Sequence, residues 1–178
     1  MNLKTRNPIR DLVSAAMCLA LCMVLPFLTG QIPQIGSMLC PMHIPVLLAG
    51  FVCGHWYALA VGGIAPIMRY ALFGMPPLMP TGLAMTFELA AYGLIAGLLY
   101  RKLPKTVPNI YISLICAMLA GRIVWGIATL LIMGVTGGSF GWTAFLTGAV
   151  TGAIPGIIVQ LVLIPVLVYA LRKAGVIE

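Results

Sequence analysis

The sequence predicts an all-α integral membrane protein, a bundle of about six transmembrane helices with both termini cytoplasmic. Three observations predict it. Apolar residues make up 62% of the 178 residues and charged residues only 7%, and a mean hydropathy of +1.12 is outside the range of soluble domains. The apolar residues come in runs approaching the roughly 20 residues a helix needs to span a bilayer. Ten Lys and Arg side chains against three carboxylates give a net charge of +7. These basic residues sit beside the apolar runs, where they act as topology determinants rather than as a nucleic-acid surface. Residues 1–178 are read as a single transmembrane domain with little room for a soluble part, so any ATPase engine must belong to another polypeptide.

The first run, Leu12 to Leu28, follows Lys4, Arg6 and Arg10 in the manner of a secretory leader. Further spans of the same character follow, and Pro26 falls where a cleavage region would begin, so the run is read as a true span. The second, Pro45 to Gly54, would extend only about 15 Å as helix, against a hydrocarbon core of about 30 Å. Charge decides its status. One long span from Met42 to Gly74 would strand Arg101, Lys102, Lys105, Arg172 and Lys173 on the outer side. A tight inner turn at His55 and Trp56 puts every flanking Lys and Arg on one side. Spans at Tyr57 to Gly74, Leu83 to Tyr100, Asn109 to Met133 and Ala144 to Leu171 complete the set.

Under this topology the outer loops are Thr29 to Pro41, Met75 to Gly82 and Gly134 to Thr143, and none carries a charge. Prolines stiffen the first two, and glycines free the third. Phe140 and Trp142 read either as rings that stack on a ligand or as anchors at the headgroup interface. Five cysteines, Cys18, Cys22, Cys40, Cys53 and Cys116, are an odd number and mostly intramembrane. They imply no disulfide framework and read as small core residues.

Three ionisable residues lie inside the apolar runs: Arg69, Glu88 and Arg122. Such a group costs several kcal/mol in lipid unless it is paired or faces a wet cavity. Arg69 and Glu88 should lie at matching depths from the outer end of neighbouring helices, where they read either as a structural ion pair that locks the two helices or as ligand contacts, and the pair need not exclude ligand contact. Arg122 has no acidic residue at its expected level, so it either snorkels inward or meets a ligand's carboxylate or phosphate. Two positives against one negative favour an anionic solute. Gln160 and Thr86 add uncharged donors and acceptors, with interhelical bonding the alternative for Gln160. Trp125, three residues from Arg122, reads as a ring beside the solute or as a packing residue.

His43 with Met42 and Cys40 offers N, S and S ligands, but no second His or carboxylate cluster completes a shell, so no metal site is expected. Nothing calls for a cofactor. The absence of a Ser–His pair, an HExxH motif or paired aspartates argues against an enzyme. Ala16 and Ala20 share one face of the first helix, where small residues let another helix approach closely. The Gly93, Gly97, Gly148, Gly152 and Gly156 spacings read as internal packing.

The run Pro41-Met-His-Ile-Pro-Val-Leu-Leu-Ala-Gly-Phe through Gly54, then Gly62 to Pro66 with Arg69, then Leu72-Phe-Gly-Met-Pro-Pro and Phe87-Glu-Leu-Ala-Ala-Tyr-Gly, resembles the S components of energy-coupling factor (ECF) transporters. The wording is most like the members specific for pantothenate and related micronutrients. The resemblance implies a substrate-binding subunit that captures a vitamin outside the cell. It would pass the cargo on by associating with a transmembrane coupling protein and two ATPase subunits. It implies that Ala16 and Ala20 dock the coupling protein and that the outer loops close the site. Pantothenate would then use Arg122 or Arg69 for its carboxylate and Glu88, Gln160 and Thr86 for its hydroxyls. A queuosine-type base would instead use Glu88. Two other classes stand beside this one: a membrane scaffold whose charges only lock helices, and a proton-coupled secondary transporter working through Glu88, although the chain shows no repeated halves.

Overall fold

The computed structural model describes residues 8–28, 38–137, 141–149 and 151–177. Among them are seven α-helices and no strand: α1 Pro8–Leu28, α2 His43–Val52, α3 His55–Phe73, α4 Leu83–Lys102, α5 Val107–Thr136, α6 Trp142–Ala149 and α7 Ile154–Lys173. Five apolar helices are long enough to cross a membrane, namely α1, α3, α4 with the turn before it, α5 and α7.

The short helix α2 lies at the centre. His43, Ile44, Pro45, Val46, Leu47, Ala49, Gly50 and Phe51 are all buried, because α1, α3, α4 and α7 all pack on it. A helix that is apolar all round has no solvent face to present and belongs inside a bundle. Gly54, at φ 89°, makes the tight turn from α2 into α3, a conformation open to glycine at little cost. The turn therefore falls one residue before the predicted His55 and Trp56, and α2 and α3 are separate helices as expected.

Helix α4 is the spine of the bundle, and it presents two adjacent stripes. One carries Leu89, Gly93 and Gly97 against α3 and α2. A Cβ on Gly62 of α3 would stand 2.3 Å from the Leu89 carbonyl oxygen, and one on Gly93 would stand 2.4 Å from that of Ala58. These backbones touch, as small residues in membrane helices allow. The other stripe carries Glu88 and Tyr92, four residues apart. A Cβ on Gly121 of α5 would lie 3.0 Å from the Tyr92 ring, so that glycine lets the ring lie flat on α5.

The predicted sixth span is corrected. Ala144 to Leu171 is not one helix: α6 ends at Ala149, Thr151–Ala153 forms a 3-10 turn, and α7 starts afresh at Ile154 with Pro155 in its first turn. Proline lacks the N–H a continuing helix would need and suits a helix start instead. The third outer loop is shorter than predicted, since Gly134 to Thr136 belong to α5 and Trp142 and Thr143 to α6. In the second, the Met75–Pro76 and Met79–Pro80 bonds are cis, and a turn over Leu78–Gly82 leads into α4. Residues 29–37 of the first loop, and Phe140, lie outside the described residues.

Arg172 donates to the Lys105 carbonyl at 2.6 Å, and Arg10 donates to the Val176 carbonyl. Lys105 sits 3.7 Å above the Tyr100 ring. These contacts gather the start of α1, the α4–α5 connection and the end of α7 at one end of the bundle. Basic residues so gathered mark the cytoplasmic end.

Candidate solute-binding site

The buried charge sits where α2, α4 and α5 meet. Glu88, 1% exposed, faces Arg122 of α5, with Oε1 3.0 Å from Nη1. Nε2 of His43, on α2, lies 3.4 Å from the same oxygen, and the His43 ring meets Tyr92 edge-on at 5.1 Å between centroids. The ion-pair reading of Arg69 with Glu88 is therefore overturned. Depth along a helix does not fix direction around it: Leu89, Gly93 and Gly97 occupy the side of α4 that faces α3, and Glu88 lies about 100° away, toward α5. Arg122 accordingly does have an acidic partner at its level.

Arg69 is buried elsewhere. Its Nη1 donates to the Met23 carbonyl at 2.7 Å, and its guanidinium lies 5.3 Å from the Phe27 ring centre and 5.2 Å from that of Phe73. The two rings themselves meet edge-on at 5.0 Å. Pro26 lies inside α1, three residues after Met23. Among the described residues Arg69 makes no ion pair. It ties α1 to α3 through a carbonyl and two aromatic faces.

The cluster around Glu88 is incompletely satisfied. Nδ1 and Nε2 of His43, Oε1 of Glu88, Nε of Arg122 and Oε1 of Gln160 are buried with no aligned hydrogen-bond partner. Glu88 thus has charge neighbours but no well-directed bond at that oxygen. Gln160, 1% exposed, lies on the inner face of α7 with Gly156 and Ile164. Gly156 touches the backbone at Met38 and Leu39, just before Cys40. Buried polar atoms left without partners are rare and costly in folded proteins, about 1–3 kcal/mol each. Several together in a membrane bundle make this the candidate place for a polar ligand.

The other expected site residues fall outside this cluster. Thr86 is half-buried and donates to the Gly82 carbonyl at 2.9 Å, one turn back. Trp125 packs toward α6: its ring is stacked near Phe145 at 6.2 Å between centroids and 29° between planes. Each ring also lies against the other helix's glycine, Trp125 on Gly148 and Phe145 on Gly126. Ala16 and Ala20 lie exposed on α1 beside the exposed Leu12, Val13, Met17, Leu21 and Val24. Two members were missed from sequence. Cys40, read as a small core residue and weighed only as a metal ligand beside His43, lies with its sulfur 3.7 Å from Nη2 of Arg122. Tyr92 carried a signal, being four residues from Glu88 on the same helical face. Among the described residues no three His, Cys, Asp or Glu side chains gather as a metal site would require.

Apolar helices long enough to cross a membrane, packed round a buried polar cluster, define the class of multi-pass membrane proteins. The family model described as "ECF transporter, substrate-specific component" matches residues 10–168, and the chain belongs to that family. No curated protein and no solved structure matches it. The chain is accordingly a substrate-specific membrane subunit of an ECF transporter, a transport protein of the cell membrane and not an enzyme. Membership implies a small-molecule substrate and an ECF module of coupling protein and ATPases.

Proposed function

We propose that this subunit binds an anionic organic micronutrient, pantothenate foremost, from the outer side and delivers it through a coupling protein and two ATPases. The observation that carries the reading is the Glu88–Arg122–His43 cluster with its unpartnered polar atoms. Arg122 is the more accessible member of the pair, at 15% against 1%, so an incoming solute meets the cation first. Glu88 is already engaged by that cation, which weighs against a cationic base as cargo. Pantothenate has one carboxylate for Arg122 and hydroxyl and amide groups able to donate to Gln160 Oε1 and to bond either nitrogen of His43. Arg69, consumed between Phe27, Phe73 and Met23, holds helices together. The exposed Ala16 and Ala20 face of α1 is the surface offered to the coupling protein.

Calorimetric titration of the detergent-purified protein with pantothenate, a queuosine-type base and riboflavin tests this. Saturable binding of pantothenate alone is the expected result. Binding of the base alone would replace the cargo, and a folded protein that binds none of the three would turn attention to a scaffold role.

A further inference from the structure

The bonding of Arg122 is lopsided in a way that identifies the edge it offers. Its Nη1 is held by Glu88 at 3.0 Å. The opposite edge, formed by Nε and Nη2, holds Nε without a hydrogen-bond partner and Nη2 against the Cys40 sulfur at 3.7 Å. A thiol is a weak acceptor, whereas this side-on edge presents two parallel N–H groups spaced for the two oxygens of a carboxylate. Cys40 is held there by its backbone: it has φ 47°, the one positive value outside glycine among the described residues, and its carbonyl accepts the His43 N–H at 3.0 Å. A left-handed conformation at a residue other than Gly, Asn or Asp carries strain and concentrates at functional sites. Gly156 of α7 fixes the preceding residues from the other side. His43, 3.4 Å from the same Glu88 oxygen, keeps both ring nitrogens unpartnered for the remainder of a ligand, and Gln160, buried on α7, keeps its Oε1 unpartnered.

We infer that the Nε–Nη2 edge of Arg122 takes the solute's carboxylate side-on, and that Cys40 is a specificity-determining residue whose thiol keeps that edge lightly occupied until the carboxylate displaces it. This rests on the reading of the cluster as the solute site and deepens it. The required ligand feature becomes a planar two-oxygen anion. A weak occupant favours such exchange, because a strong acceptor at position 40 would close the edge permanently and an absent one would leave the guanidinium bare.

The test is a position-40 series titrated by calorimetry with pantothenate and with its alcohol analogue, in which CH2OH replaces the carboxylate. Cys40→Asp places an internal carboxylate on the edge. Cys40→Asn has nearly the same shape without charge, and both residues tolerate a left-handed backbone, so both variants should fold. The expected result is that wild type prefers pantothenate over the alcohol. Cys40→Asp should lose pantothenate binding by about 10- to 100-fold relative to Cys40→Asn, the range for hydrogen bonds to a charged group. The alcohol should hardly distinguish the two variants. Equal pantothenate affinity in Cys40→Asp and Cys40→Asn would overturn the role of Cys40 while leaving pantothenate as cargo. Equal binding of acid and alcohol by wild type would overturn the carboxylate anchor, and no binding of either by folded wild type would remove the cargo reading and this inference together.

Discussion

Two arginines lie inside this bundle, Arg69 buried and Arg122 part-buried, and their surroundings differ in kind. Arg69 is enclosed by a carbonyl and two aromatic rings, all contributed by α1 and α3. Arg122 shares one carboxylate with a histidine, rests on a thiol and keeps its Nε unpartnered. The first arrangement is closed and needs nothing further from outside the protein. The second is open. A buried charge therefore announces function less by its presence than by how much of its bonding the protein leaves undone.

The largest effect that would break this contrast is on binding. Arg122→Gln should weaken solute affinity by about 100-fold through loss of charge-assisted bonds. It also leaves Glu88 buried without its cation, a loss that costs about 3–5 kcal/mol of stability when a buried pair is broken. The double variant Arg122→Gln with Glu88→Gln should recover much of the melting temperature while binding stays lost. Recovery of binding in the double variant would make the pair a mere helix lock, like Arg69.

Next in size is the seam that sets the height of Glu88. Gly62→Ala drives a methyl into the Leu89 backbone and should lower stability by about 1–3 kcal/mol, as overpacking does, with a matching drop in affinity. Thermal unfolding in detergent, followed by titration, reads both. Arg69→Gln should cost about 1–2 kcal/mol of stability from its cation–π and carbonyl contacts while leaving affinity within a few-fold. A loss of binding with an unchanged melting temperature would place Arg69 at the solute after all. Smallest is Phe145→Ala, which removes the Trp125 pair and should lower stability by about 0.5–1.5 kcal/mol, with a shift in intrinsic fluorescence and affinity within a few-fold.

Much of the fold was legible because lipid imposes a simple length and polarity code. The first, third, fourth and fifth spans were placed within a few residues of the observed helices. The break in the last predicted span was written in Thr147-Gly-Ala-Val-Thr-Gly-Ala-Ile-Pro155, but unbroken hydropathy outweighed the Gly, Thr and Pro signals there. Within the site, Glu88, Arg122, His43 and Gln160 were legible as polar residues in an apolar setting. Their partners were not, because pairing Glu88 with Arg122 rather than Arg69 depends on which way α4 is turned. The close contacts of Gly62, Gly93 and Gly97 fix that turn. The Cys40 contact with Arg122 was illegible for another reason: it goes with a left-handed backbone angle, and the residue type gives no hint of that conformation.

The backbone contact between Gly62 and Leu89 also bears on how such a subunit could change its cargo over generations. A slip of one residue along α4 would swing Glu88 by about 100° and move it about 1.5 Å, erasing the site in a single event. On the proposed reading, substitutions at Cys40, His43 or Gln160 would alter what the site prefers without disturbing that seam. New specificities would then be reachable by small steps at these positions, on a scaffold whose glycine contacts stay unchanged.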